Sequence, residues 1–193
     1  MTVTINGTSG VTFPAGGVGN PAGAVVGTTD TQTLTNKTIQ GGAITSGTAV
    51  ASTSGTSIDF TSIPSWVKRI TVNFQGVSTN GTSLLIVQLG ISSGFTTSGY
   101  LGAALTGTTI NVTTGLPTAN DTSASAIRHG NMVITNLTSN TWTSICVIGR
   151  SDSANAGFGG GSIALSSTLD RVRITTVNGT DTFDAGSINI LYE

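Results

Sequence analysis

From Ser57 onward the apolar residues of this chain recur at every second position. Ile70, Val72 and Phe74 alternate with Arg69, Thr71, Asn73 and Gln75. A period of two sends successive side chains to opposite faces of an extended strand, so one face is written for a core and the other for solvent. No window carries a 3.6-residue period. Further strands are predicted at Thr108–Thr113, Asn131–Leu137, Thr141–Gly149, Ser162–Leu165, Arg171–Val177 and Ser187–Tyr192. Leu84–Leu89 is almost continuously apolar, which reads as a strand covered on both faces or buried against a neighbouring subunit. Gly-containing breaks fall at Thr79–Gly81, Gly94–Gly99, Asn155–Gly161 and Asn178–Gly179. Asn80-Gly81 and Asn178-Gly179 are the strongest tight-turn signals. Many short strands with such punctuation predict an antiparallel β-sandwich or jelly roll.

Polarity in this chain comes from hydroxyls and amides. Charged residues make up 8% of it, against roughly 25% in ordinary soluble domains. No Asp, Glu, Lys or Arg occurs from Ile70 to Asn120, and the net charge is −1. That balance provides no electrostatic footprint for nucleic acid or an anionic membrane. The longest apolar runs, Leu84–Val87 and Ile145–Ile148, fall far short of the roughly 20 residues that span a bilayer. Met1–Gly10 has neither a basic start nor an apolar stretch, so no signal peptide is expected and the chain is expected to be made in the cytoplasm. The single cysteine, Cys146, excludes an intrachain disulfide and is expected to be a buried thiol.

Residues 1–54 are composed differently. Phe13–Gly27 is rich in Gly, Ala and Pro, and Thr45–Thr56 in Gly, Ser and Thr. Neither can bury a hydrophobic face alone. They read as flexible linkers, or as extended segments ordered by winding with copies from other subunits. The expected division is an extended attachment or shaft segment over 1–54 and a β-sandwich knob over 55–193.

The groups able to do chemistry are few and scattered. His129 is the only histidine and is expected as a polar residue in a loop or strand start. With one Cys and no carboxylate cluster beside it, no metal site or cofactor is expected. Asp181 and Asp184 raise the two-carboxylate pattern of glycosidases, yet NGTDTFDAG reads as a turn and a short segment, with structural or solvated aspartates. Asp121, Asp152 and Asp170 read the same way. There is no G-x-S-x-G elbow and no phosphate-binding loop; Gly157–Gly161, GFGGG, lacks the strand–turn–helix context. No catalytic residue is therefore assigned. Arg171 and Arg173 are expected on a solvated sheet face. Trp66 and Trp142 are expected in the core. Phe95, Tyr100 and Phe158 stand in Gly/Ser-rich stretches, where aromatic faces beside hydroxyl donors suit sugars or flat protein surfaces.

Three stretches carry a family resemblance. Thr28–Ile39, TTDTQTLTNKTI, resembles a short motif found in tail and fibre proteins of tailed bacteriophages, just ahead of a β-rich domain. Arg171–Glu193, RVRITTVNGTDTFDAGSINILYE, is similar to the closing strands of phage fibre tip domains, and Gly55–Gly90 to their opening strands. The resemblance implies a homotrimeric virion protein, assembled in the host cytoplasm. It implies attachment to other virion proteins through the N-terminal segment and adhesion to a host surface glycan or protein. Phe95, Tyr100 and Phe158 are then the expected receptor contacts. A capsid decoration or head-fibre protein is the alternative within the same class. A polysaccharide depolymerase, which needs convergent carboxylates, and a bacterial surface adhesin, which needs a secretion signal, are the competing classes.

Overall fold

The computed structural model describes residues 44–193 together with two short strands, β1 (Thr4–Asn6) and β2 (Gly10–Thr12), which pair antiparallel. The expected linker Phe13–Gly27 and the Thr28–Ile39 motif lie outside the described residues. The compact unit that holds the remaining strands begins at Gly41, so the expected boundary at Ser54 lies inside it.

Every regular element among the described residues is a strand. After β3 (Thr45–Ser46), β4 (Val50–Ala51) and β5 (Ser57–Phe60) come β6 (Arg69–Thr79), β7 (Leu85–Ile91) and β8 (Gly94–Phe95). Then follow β9 (Leu101–Thr106), β10 (Thr108–Val112), β11 (Leu116–Pro117), β12 (Arg128–Thr138) and β13 (Thr141–Arg150). The last three are β14 (Asn155–Ala164), β15 (Arg171–Thr176) and β16 (Phe183–Tyr192). A nine-stranded sheet runs β10-β9-β14-β13-β12-β6-β16-β3, with β4 also on β16. A five-stranded sheet runs β11-β7-β15-β5, with β8 on β7. All pairings are antiparallel. The fold is thus an antiparallel sandwich. A jelly roll passes its strands back and forth between two sheets, whereas β12, β13 and β14 form a meander within one.

The alternation read from the sequence sets the inner faces. Ile70, Val72 and Phe74 of β6, Met132 and Ile134 of β12, and Trp142, Cys146 and Ile148 of β13 meet Leu85, Val87 and Leu89 of β7 and Val172 and Ile174 of β15 in one buried cluster. Each such aliphatic side chain contributes about 1.5–3 kcal/mol by leaving water. Asn178-Gly179 is a turn and Asn80-Gly81 a bend, and both carry the chain between sheets rather than closing hairpins. Gly179 adopts φ +67°, and the Asn178 side chain accepts the N–H groups of Thr180 and Asp181 at 3.1 and 3.3 Å.

Leu84–Gly90 is buried throughout, and its own chain covers both sides. Leu84 and Ile86 point away from the main core and pack with Val112. There the chain leaves β10 in the larger sheet and crosses to β11 in the smaller one. Gln88 Nε2 donates to Thr114 O at 2.9 Å, which holds this crossing in place. Two-sided burial of this strand therefore requires no neighbouring subunit.

Asn155–Gly161, expected as a loop, is the first part of strand β14. Its glycines answer a packing demand. A Cβ on Gly159 would stand 2.1 Å from Pro117 O and 2.4 Å from Thr118 O. One on Gly157 would stand 2.0 Å from Thr106 Oγ1 and 2.6 Å from Leu105 O. The glycines let the β11 backbone lie directly on the inner face of β14.

Burial also sets the response to alkali. It pushes the Cys146 thiol from 9.0 to about 12 and the Tyr100 phenol from 10.0 to about 12. The native state therefore keeps both protons over a range in which the unfolded chain releases them. The stability this represents is complete below pH 9 and is lost as pH rises from about 9 to about 12. Thermal melts across that range are expected to show a falling midpoint, with a shallower slope in Cys146→Ala. A midpoint independent of pH up to 11 would contradict burial of the thiol.

Candidate functional site

The strand pairings give the sandwich two distinct ends. Thr45 pairs with Tyr192, Tyr192 with Ile70 and Ile70 with Ile134, so the chain enters the larger sheet at the end where β6 starts. At the other end stand Thr79, Arg128, Arg150 and Asn155, linked through Phe183↔Thr79, Arg128↔Arg150 and Arg150↔Asn155. The connections 80–84, 118–127, 151–154 and 177–182 and the turn at Gly107 all gather at this second end.

These loops are braced by a cluster of charges in a chain that carries few. Arg128 is fully buried, and its guanidinium donates to Ala126 O at 3.3 Å, Asp121 O at 3.2 Å and Ser123 O at 3.4 Å. Its Nε lies 3.4 Å from Asp121 Oδ2 as an ion pair without hydrogen-bond alignment. Arg150 Nη1 reaches Asp121 Oδ1 at 3.1 Å, and Arg150 also chelates Asp152. Burial pulls the Arg128 guanidinium below its usual range, and Asp121 opposes that shift. The Arg150 hydrogen bonds, then the Ile127 N–H at 2.8 Å, hold the Asp152 carboxyl well below the usual carboxylate range. Asn120 Nδ2 donates to Thr108 O at 3.0 Å, tying this loop to the Gly107 turn. The outcome is a stiff platform exposing Thr122, Ser125, Ile127, Ser151 and Ser153. Short hydroxyl side chains on a fixed backbone suit hydrogen bonding to a polar surface. Sequence reasoning missed this platform. The sequence carries little signal of it, because Arg128 and Arg150 stand far apart along the chain and meet only through the pairing of β12 with β13.

The three aromatics expected as a contact site are separated. Tyr100 is 0% exposed. Its hydroxyl accepts Leu89 N–H at 2.7 Å and donates to Thr96 O at 2.9 Å, so it pins the β8–β9 connection to β7. Phe95 is half-buried in β8, beside the end where the chain enters, with the Arg173 guanidinium 4.1 Å from its ring centre. Arg173 is held in turn by Asp59 through two bonds of 2.8 and 2.7 Å. Phe158 is 54% exposed, but on strand β14 in the outer face of the larger sheet rather than in a loop.

Other residues also find definite places. His129 lies in β12, accepting Gly76 N–H on Nδ1 at 3.2 Å and facing Ser151 Oγ across 3.1 Å. Asp181 accepts Ser83 N–H at 2.8 Å and Asn178 Nδ2 at 2.6 Å, which makes it a loop brace, while Asp184 is exposed on β16. Trp142 is buried as expected. Trp66 is exposed, its ring tilted against Tyr192 at 6.0 Å, while Ile63 and Val67 of the same 61–68 loop turn into the core instead. Comparison of the chain with family models, curated proteins and solved structures gave no match.

Proposed function

We propose that this chain is a non-enzymatic structural protein of a bacteriophage particle, a short tail fibre or spike that adheres to the host surface. The observation that carries the reading is the placement of the braced loops at the end of the sandwich opposite to chain entry. A domain tethered at one end presents the other outward, and rigid exposed loops there lose little entropy on contact. The resemblance of Thr28–Ile39 and of the closing strands to phage fibre proteins agrees with it. So do its implied homotrimer and an attachment role for the N-terminal segment. Threefold repetition would multiply a weak hydroxyl-rich contact through avidity. The expected partner is a glycan or protein of the host envelope, met by Thr122–Ile127 and Ser151–Ser153. Phe95 and Tyr100 now read as packing residues.

Adsorption measurements test this. Replacing Thr122, Ser125 and Ser153 together by Lys is expected to lower adsorption to host cells about tenfold, the effect of roughly 1.4 kcal/mol. Phe95→Ala is expected to leave it unchanged. Undiminished adsorption by the folded triple variant would remove the platform. Labelling of intact particles that marks heads rather than tails would replace the fibre by a capsid decoration or head-fibre protein.

A further inference from the structure

The outer face of the larger sheet breaks the rule that a solvated sheet face is polar. Leu101 is 74% exposed, Ile145 63%, Phe158 54%, Val147 47% and Leu105 37%. Cross-strand register makes them one patch rather than scattered exceptions. Leu105 stands beside Phe158 and Phe158 beside Val147. In the next row Ala103, Gly160, Ile145 and Val133 lie side by side across β9, β14, β13 and β12. No Asp, Glu, Lys or Arg occupies an outward position in this patch. Arg69, beside Thr135 at the margin of the patch, is paired with Glu193, and the pairs of Arg150 with Asp121, Arg171 with Asp170 and Arg173 with Asp59 sit at the ends of strands or on the other sheet.

We infer that this face is where copies of this chain pack together. Two features point to a second copy as its occupant. Three copies of a face without charge can turn toward a common axis with neither like-charge repulsion nor a buried unpaired ion. The area also fits. Five side chains exposed to this degree leave on the order of 500 Å² of apolar surface, at the upper end of what a lone monomer shows. A stable interface takes about 800 Å² from each partner. The outward Thr135, Thr143, Ser162 and Asn131 around the patch supply the remainder as a polar rim. The small residues Ala103 and Gly160 keep the middle of the face low, which allows a neighbouring side chain to approach the sheet. The inference deepens the homotrimer of the proposed function by naming its contact surface. It does not rest on the host-contact loops.

The test is the mass of the full chain in solution at low micromolar concentration, by sedimentation or mass photometry. The unaltered protein is expected at the mass of three chains. Ile145→Glu and, separately, Phe158→Glu are expected as single chains with unchanged circular dichroism, since both positions point away from the core. Val177→Glu, also at an exposed apolar position (44%) but off this face, is expected to keep the parent mass. A single-chain parent, or both patch variants at the parent mass, would overturn the inference. A single-chain parent whose Ile145→Glu form also fails to enter particles would overturn it in favour of another virion protein on this face. Recovery of the chain from particles is scored separately, so a failure of the virion reading and a failure of this interface appear in different measurements.

Discussion

Gly159→Ala is expected to destabilise the sandwich by about 3 kcal/mol, near the top of the usual range for overpacking. The added methyl would fall 2.1 Å from Pro117 O and 2.4 Å from Thr118 O, and both obstacles are backbone. They cannot rotate away, because Thr118 N–H and Oγ1 are both bonded to Leu85 O, at 3.2 and 2.9 Å. Relief would require β11 to lift from β7, uncovering Ile86 and Leu116. For a domain of this size the midpoint of thermal unfolding should fall by roughly 10 °C. Gly160→Ala is the control. Its methyl would point to the other face and touch only Ser144 O at 3.4 Å. Measured on separated chains in the Ile145→Glu background, its effect should stay within about 0.5 kcal/mol, as for substitutions clear of the core. Equal effects at the two positions would show that β14 does not pack on β11 in this way.

Asp121→Ala is expected to cost about 3–5 kcal/mol, because it leaves the Arg128 guanidinium buried beside no counter-charge. Asp121 also receives Arg150, so its removal releases the 118–127 loop from the end of β13 as well. Denaturant unfolding should show a lower midpoint with little change in slope. Adding Arg128→Met to Asp121→Ala should recover much of the loss, since an apolar side chain of similar length needs no partner in that space. If the double variant is as unstable as the single one, the loop is held by contacts other than this ion pair.

The strands and their faces were legible in the sequence because a period of two is a local property. Ile70, Val72 and Phe74 face the core whatever lies opposite them, and the apolar run Ile145–Ile148 marked Cys146 as buried without showing that Ile145 and Val147 face outward. The two-sided burial of Leu84–Leu89 was legible too, as an unbroken apolar run. What covers its second side was not: a neighbouring subunit and the chain's own Val112–Leu116 crossing leave the same mark on β7. Tertiary structure alone decided the rest. Gly157–Gly161 read as a loop because glycine weakens isolated strands, yet the approach of Pro117 and Thr118 makes glycine the residue that fits there. Tyr100 read as a candidate contact residue because its neighbours are Gly and Ser, while the acceptor and donor that meet its buried hydroxyl come from Thr96 and from Leu89 on β7. Asp121 and Asp152 read as structural or solvated aspartates and Arg128 and Arg150 carried no reading; pairing of β12 with β13 brought the arginines to one end of the sandwich, where the aspartates meet them. The apolar outer face arose in the same way. Leu101, Ile145 and Phe158 are spread along the chain, and their adjacency exists only in the register of β9, β13 and β14. Local sequence determines which way a side chain points from its strand. Pairing between distant strands determines what it meets.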